Sequence, residues 1–269
     1  MKQFMLSSCL IALLSACMLT GCGDDELESI EFDTVSTEKV VKLSNEEGTP
    51  QCSVMLSMAF ATERNGEKAK TVNDAIEDRL LDMTDIPMKH AVDSFANRYT
   101  RDYVNNFKPL YYEDRTDTTK HAWYEYHYVI TTETQRGHSG ISVYIATLDY
   151  FEGGAHGINQ RLVMNFDDKT GKIVTLADVF VPGYQNKLCK ELLSALKEKT
   201  DSKNLGELHD KGYLYSMDIF APENYILGDD TITFIYNPYE IASYDKGAIE
   251  LIIPYSDLLE IMNKEWTAS

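Results

Sequence analysis

Cys22 is the residue whose setting implies the most definite chemistry. Leu19-Thr20-Gly21-Cys22 places an aliphatic residue and two small ones before a thiol, the pattern in which a bacterial lipoprotein cysteine is acylated as its leader is removed. Leu14-Ser15-Ala16-Cys17 offers a second register. Cys22 is preferred because a polar, acidic tract starts directly behind it: Gly23-Asp24-Asp25-Glu26, then Glu28, Glu31 and Asp33. Ahead of it, Met1-Lys2 and the mostly apolar run from Phe4 to Leu14 have signal-peptide proportions and fall short of the ~20 residues of a spanning helix. The competing reading is an uncleaved apolar anchor, or a leader with an incidental cysteine.

Two other groups could hold a ligand. In Tyr150-Phe151-Glu152-Gly153-Gly154-Ala155-His156, the glycines could let backbone amides approach a bound group, and His156 could donate, accept or titrate near neutral pH. The plainer alternative is a tight turn whose histidine satisfies a carbonyl. Toward the end, Tyr236, Tyr239, Tyr244 and Tyr255 accompany Glu240, and rings beside a carboxylate suit sugar stacking or a cationic partner. Equally, Pro238-Tyr239 could fix a turn whose ring fills the core.

Nothing assembles a catalytic set. The histidines at 90, 121, 127, 138, 156 and 209 form no HExxH motif, so no metal site or cofactor is expected. Gly137-His138-Ser139-Gly140 fails as a nucleophile elbow because Ile141 stands where glycine is needed. Asp24-Asp25 and Asp229-Asp230 read as tether and turn.

Composition narrows the partners. The chain has 269 residues and a formal charge of −18; losing a 21-residue leader removes one lysine and no acid, giving −19 over 248 residues. Such a body is repelled by phosphate backbones, which excludes nucleic acid, and it attracts cationic partners. Acidity that merely keeps an exported protein soluble is the commoner case. After processing, Cys22 is committed to lipid, so Cys52 and Cys189 are the one pair that could form a disulfide, with buried free thiols as the alternative.

These residues must be positioned by an α+β body: an antiparallel sheet meander packed on a few amphipathic helices, in two adjoining subdomains. Val54, Leu56, Met58 and Phe60 at period two predict a strand at 52–61, and strands are also read at 38–43, at the aromatic and β-branched 123–132, at 141–148 and at 161–166, with a hairpin around Gly228-Asp229-Asp230. Spacings of three and four predict a helix opened by Thr71 and a longer one running from Met88 through Phe95, Tyr99 and Tyr103 to Phe107. A third helix is expected from Tyr184 to Lys199, and a short last one capped by Ser256.

Two stretches carry a resemblance. One is Tyr150 to Gly157, followed by Asn165-Phe166-Asp167, Thr170-Gly171-Lys172 and Asp178-Val179-Phe180; the other runs from Phe234 through Asn237-Pro238-Tyr239-Glu240-Ile241-Ala242 to Ile253-Pro254-Tyr255. Together they resemble the extracytoplasmic domain of unknown function shared by RsiV-type anti-sigma factors and PdaC-type peptidoglycan deacetylases, and residues 35–150 are similar in layout to its usual companion domain. The implied organisation is a signal peptide at 1–21, an acidic tether at 22–34, the companion domain at 35–150 and the RsiV/PdaC-like domain at 151–265. In the anti-sigma proteins this region is a sensing ectodomain to which lysozyme binding is attributed. The acidic residues behind Cys22 resemble a surface-export signal of one group of Gram-negative bacteria, implying an outer-membrane lipoprotein on the cell-surface or periplasmic face. The expectation is a lipid-anchored binding module for a glycan, a peptidoglycan fragment or a cationic protein, with Tyr150, Glu152, Gly153, Gly154, His156, Tyr239 and Glu240 as candidate contacts. A glycan hydrolase using His156 and Glu152, or a structural envelope protein, are the alternatives.

Overall fold

Alternating side chains build a five-stranded sheet in a computed structural model that describes residues 29–154 and 156–267. The leader, Cys22 and the acidic residues up to Glu28 lie outside the described residues. The strands run in chain order, β1 (Phe32–Lys42), β2 (Gln51–Ala61), β3 (Tyr126–Arg136), β4 (Ile141–Glu152) and β5 (Ile158–Asp167). In β2 the expected face of Val54, Leu56 and Met58 is fully buried together with Cys52, but the alternation breaks after Met58, where Ala59 and Ala61 are buried and Phe60 is half-buried.

The β1–β2, β3–β4 and β4–β5 pairs are antiparallel as expected, but β2 and β3 pair in parallel. A parallel pair needs a long crossover, and the intervening chain supplies one: α1 (Glu67–Leu81), α2 (Met88–Asp114) and a 3-10 segment, Thr118–Tyr124. Helix α1 starts a turn before Thr71, after Gly66 at φ 60°. Asn73 anchors it to the end of β2, accepting from Ala61 N at 2.7 Å and donating to Ala61 O at 2.9 Å. Helix α2 continues past Phe107 and through Pro109, because Tyr111 beyond the proline is buried against Tyr124.

A second, antiparallel sheet contains β6 (Tyr225–Leu227), β7 (Thr231–Tyr236) and β8 (Ile249–Pro254). Around it lie α3 (Leu176–Val179), α4 (Gln185–Lys199), α5 (Leu205–Asp210) and α6 (Tyr255–Leu258). Leu188, Leu192 and Leu196 of α4 face inward at the expected spacing. Helix α3 is opened by a reciprocal Thr175–Asp178 capping box. Helix α6 is preceded by Pro254 at the cap position; Ser256 lies inside it and bonds Asp257 instead.

The large sheet is buried on both faces at its centre. Tyr144, Ala146 and Leu148 of β4 join the core against α1 and α2, while Ile141, Val143 and Ile145 join the core of the smaller sheet. Strands on either side of residue 150 therefore serve both cores. Three buried asparagines close the seam along the open edge of β5. Asn224 accepts from the Val163 amide and Asn237 from the Arg161 amide, both at 2.8 Å, and Asn165 bonds Tyr225 O and Leu227 N. Side-chain amides carry both donor and acceptor, so they replace a strand partner that the geometry cannot supply.

Residues 29–34, expected to belong to the tether, are folded. Ile30 is 5% exposed in the core, and its amide donates to Ser142 Oγ and Asp168 Oδ1. Glu31 and Asp33 point outward around β1, so a strand with an acidic outer face has the composition of a tether. Cys52 and Cys189 are both free. Burial, then the charge of Glu152, pushes the Cys52 thiol up to about 12, which keeps it protonated and unreactive. No helix among the described residues is long and apolar enough to cross a membrane.

Candidate binding face

The strand registers sort the candidate residues to one end of the large sheet. Tyr126 at the start of β3 pairs with Glu152 at the end of β4, and β5 starts beside them at Ile158. The chain enters at the opposite end, where β1 begins beside Ala61 and β3 finishes at Arg136. With a rise of about 3.3 Å per residue, the two ends of β3 stand roughly 30 Å apart.

At the far end, His156, Tyr239 and Tyr244 form an aromatic group, the first two exposed and Tyr244 half-buried. The His156 ring stacks on Tyr244 with centroids 4.1 Å apart and planes at 15°, and Tyr239 lies 5.5 Å from Tyr244. His156 Nδ1 faces the Gly157 carbonyl at 3.3 Å, so a neutral ring carries its hydrogen there. That leaves Nε2 to accept from the Tyr239 hydroxyl at 3.0 Å. Tyr239 is 59% exposed and adopts φ 74°, a left-handed conformation that costs a side-chain-bearing residue about 1 kcal/mol or more.

Glu240 braces this strained turn. Its carboxylate accepts from Asn237 N at 2.8 Å, while the Asn237 side chain is held by Arg161 across the seam. Burial raises the Glu240 carboxyl, and the Asn237 amide opposes that shift. Glu240 is therefore committed to the fold beneath the platform. Tyr236 and Tyr255 are also inward, donating to the carbonyls of Phe220 and Gly228.

Glu152 belongs to a neighbouring groove of about 200 Å³ on the helical side of the sheet, whose wall includes neither Tyr150 nor Gly153. Tyr99, Tyr103 and Phe107 of α2 line it with Tyr126 and Glu152, and Arg98, Asp102 and Asn106 complete its walls. Tyr99 Oη donates to Glu152 Oε1 at 2.6 Å; burial, then that carboxylate, pushes the phenol up. Tyr150 stacks on Tyr128 beside the groove at 5.4 Å. Gly153, at φ 76°, has the Trp123 carbonyl 2.8 Å from where a Cβ would sit, so its glycine serves chain packing. Gly154, at φ 112°, opens onto free space.

His156 and Glu152 thus have separate partners, Tyr239 and Tyr99. Among the described residues no group of three or more His, Cys, Asp or Glu side chains could hold a metal ion. The spacing of Tyr99 and Tyr103 predicts only a buried helix stripe. Their signal is the chemistry of that stripe: hydroxyl-bearing rings at Tyr99 and Tyr103 of α2 face Tyr124, Tyr126 and Tyr128, where a purely structural seam could be aliphatic.

Residues 177–256 match a family described as a protein of unknown function (DUF3298). That span includes Tyr239, Glu240 and Tyr244 and stops short of Tyr150 to His156. The fold is similar to the crystal structure of a DUF3298 family member from Bacteroides fragilis, with a TM-score of 0.82 and 25% identity, covering 89% of this chain and 96% of that one. A DUF3298 family protein from Pseudomonas aeruginosa aligns with a TM-score of 0.63 and 19% identity, covering 89% of this chain and 97% of that one. No curated protein matches the chain.

Proposed function

We propose that this chain is a lipid-anchored binding module of the bacterial envelope, tethered through Cys22 to the outer membrane and presenting an aromatic face to a glycan such as a peptidoglycan fragment. The observation that carries the reading is the Tyr239–His156–Tyr244 group. A ring held in solvent at positive φ, stacked on His156, tilted against Tyr244 and braced from beneath, is costly for stability alone and suited to the apolar face of a sugar. The adjacent groove adds Tyr99, Tyr126 and the Glu152 carboxylate for hydroxyl groups. Both lie at the sheet end opposite the start of β1, an arrangement suited to a ligand approaching from outside the bilayer if the chain is anchored through Cys22.

The second reading is a cationic protein such as lysozyme. The charge of −18 and the resemblance to RsiV-type ectodomains favour it. Hydrolysis by a His156–Glu152 couple has less support, because each side chain is bonded elsewhere.

Titration of the processed protein with muropeptides and with lysozyme tests these readings. Muropeptide binding that weakens at least tenfold in Tyr239→Ala, in a protein that melts normally, is the expected result. Binding of lysozyme alone transfers the assignment to the second reading, and silence toward both removes the module hypothesis. Turnover of muropeptides that His156→Ala abolishes would replace binding with catalysis.

A further inference from the structure

At the opposite end of the sheet, a strongly acidic chain gathers positive charge. Arg64, Lys68 and Arg136 line one cavity of about 440 Å³, together with Ser29, Glu31 and Asn65. Glu63 and Glu67, neighbours of these cations in sequence, are not part of its wall. Lys68 Nζ donates to the Asp168 main-chain carbonyl at 2.6 Å and Arg136 Nη2 to Ser29 Oγ at 3.4 Å, both neutral oxygens that leave the charges uncompensated. Arg64 meets Glu31 at 3.2 Å, but both side chains are largely exposed, so the pair is weak. Three cations against one carboxylate leave a local excess of positive charge where the whole chain carries −18.

The first described residues form part of this cavity and are fixed to it. Asn65 accepts from Glu31 N at 2.9 Å and donates to Glu31 O at 2.8 Å, and Thr62 N donates to the same carbonyl at 3.0 Å. Six residues separate Ser29 from Cys22, a reach of at most about 25 Å over seven Cα–Cα steps. The cavity therefore opens within that distance of any lipid carried on Cys22.

We propose that the Arg64–Lys68–Arg136 cavity binds a phosphate group, and that its source is an anionic phospholipid headgroup of the membrane in which the chain is anchored. Guanidinium and ammonium donors converging on one opening suit phosphate oxygens. Engaging a headgroup there would set the sheet upright on the bilayer and hold the aromatic face away from it. The choice of membrane source rests on lipidation at Cys22; phosphate recognition itself does not.

The full chain carrying Cys22→Ser, which keeps every residue of the cavity, is titrated with inorganic phosphate and cosedimented with phosphatidylethanolamine vesicles, with and without phosphatidylglycerol. Phosphate binding, and capture only by the phosphatidylglycerol vesicles, are expected; both should fall at least tenfold in Lys68→Gln/Arg136→Gln, and Arg136→Lys should recover part of the loss. Unchanged melting of the variants separates this from misfolding. Phosphate binding without vesicle capture overturns the membrane source. Binding that emerges only when Asp24, Asp25, Glu26 and Glu28 are made amides assigns the cavity to the chain's own acidic stretch and overturns the proposal. Equal behaviour of Lys68→Gln/Arg136→Gln and its parent, or no binding at all, does the same. Fatty-acid labelling of the chain with Cys22 intact reads the anchor independently.

Discussion

The two ends of the large sheet use opposite physical strategies. Where the chain enters, Asp168, only 3% exposed, accepts from Ser142 Oγ at 2.6 Å and from Ile30 N, while its own amide reaches Gly140 O. The buried polar groups there are matched with one another, and the strand ends are locked. At the far end the rings of Tyr239 and His156 stay in solvent, and Tyr239 is held in an unfavourable backbone conformation. Rigidity at one end and retained strain at the other is the expected division between a fixed base and a binding surface.

The largest effect should come from breaking the fixed base. Asp168→Ala leaves the buried Ser142 hydroxyl without its acceptor and the Ile30 amide with Ser142 Oγ alone, at a cost of about 1–3 kcal/mol. Chemical denaturation measures it, and hydrogen exchange at residues 30–34 should rise. If exchange there stays slow, the first strand is held by something other than this carboxylate.

A second buried carboxylate sharpens the comparison. Glu77 of α1 is 1% exposed, and neither of its oxygens has a hydrogen-bond partner among the described residues. Burial, reinforced by the charges of Asp74 and Asp85, raises it to about 7 from 4.5, against the lowering effect of the Ile86 amide and Lys70. The folded state thus holds this proton more tightly than the unfolded chain does. Its contribution to stability is complete below pH 4.5 and is lost as pH rises through about 7. Glu77→Gln should flatten that part of the stability–pH curve and leave the protein roughly 1–3 kcal/mol more stable at pH 8. Denaturation midpoints at pH 5 and pH 8 check it; equal shifts at both would refute the assignment.

The smallest stability change is expected at the platform. Tyr239→Gly relieves the positive φ and should raise stability by up to about 1 kcal/mol while removing the ring that the proposed ligand needs. A thermal midpoint that falls would mean that the exposed ring contributes packing, and the contrast between the two ends would weaken.

Much of the framework was legible in the residues themselves. Period two marked β2, and spacings of three and four marked α2 and α4, because burying one face imposes the same geometry on any sequence. Acidity, the cysteine count and the missing catalytic motifs were equally local properties. The tail of the acidic tract was misread for the same reason: composition alone cannot distinguish a solvated tether from a strand with acids on its outer side.

Tertiary structure decided what depends on distance along the chain. His156 and Tyr239 meet across 83 positions, and Tyr99 reaches Glu152 across 53. Glu240 turns inward because Asn237, tied to Arg161 on another sheet, needs its carboxylate. The parallel pairing of β2 with β3 gathers the basic cavity and the aromatic face at opposite ends. Residue types set which side chains could stack, pair or bear charge; which of them share a surface was fixed only when the crossover chose the direction of β3.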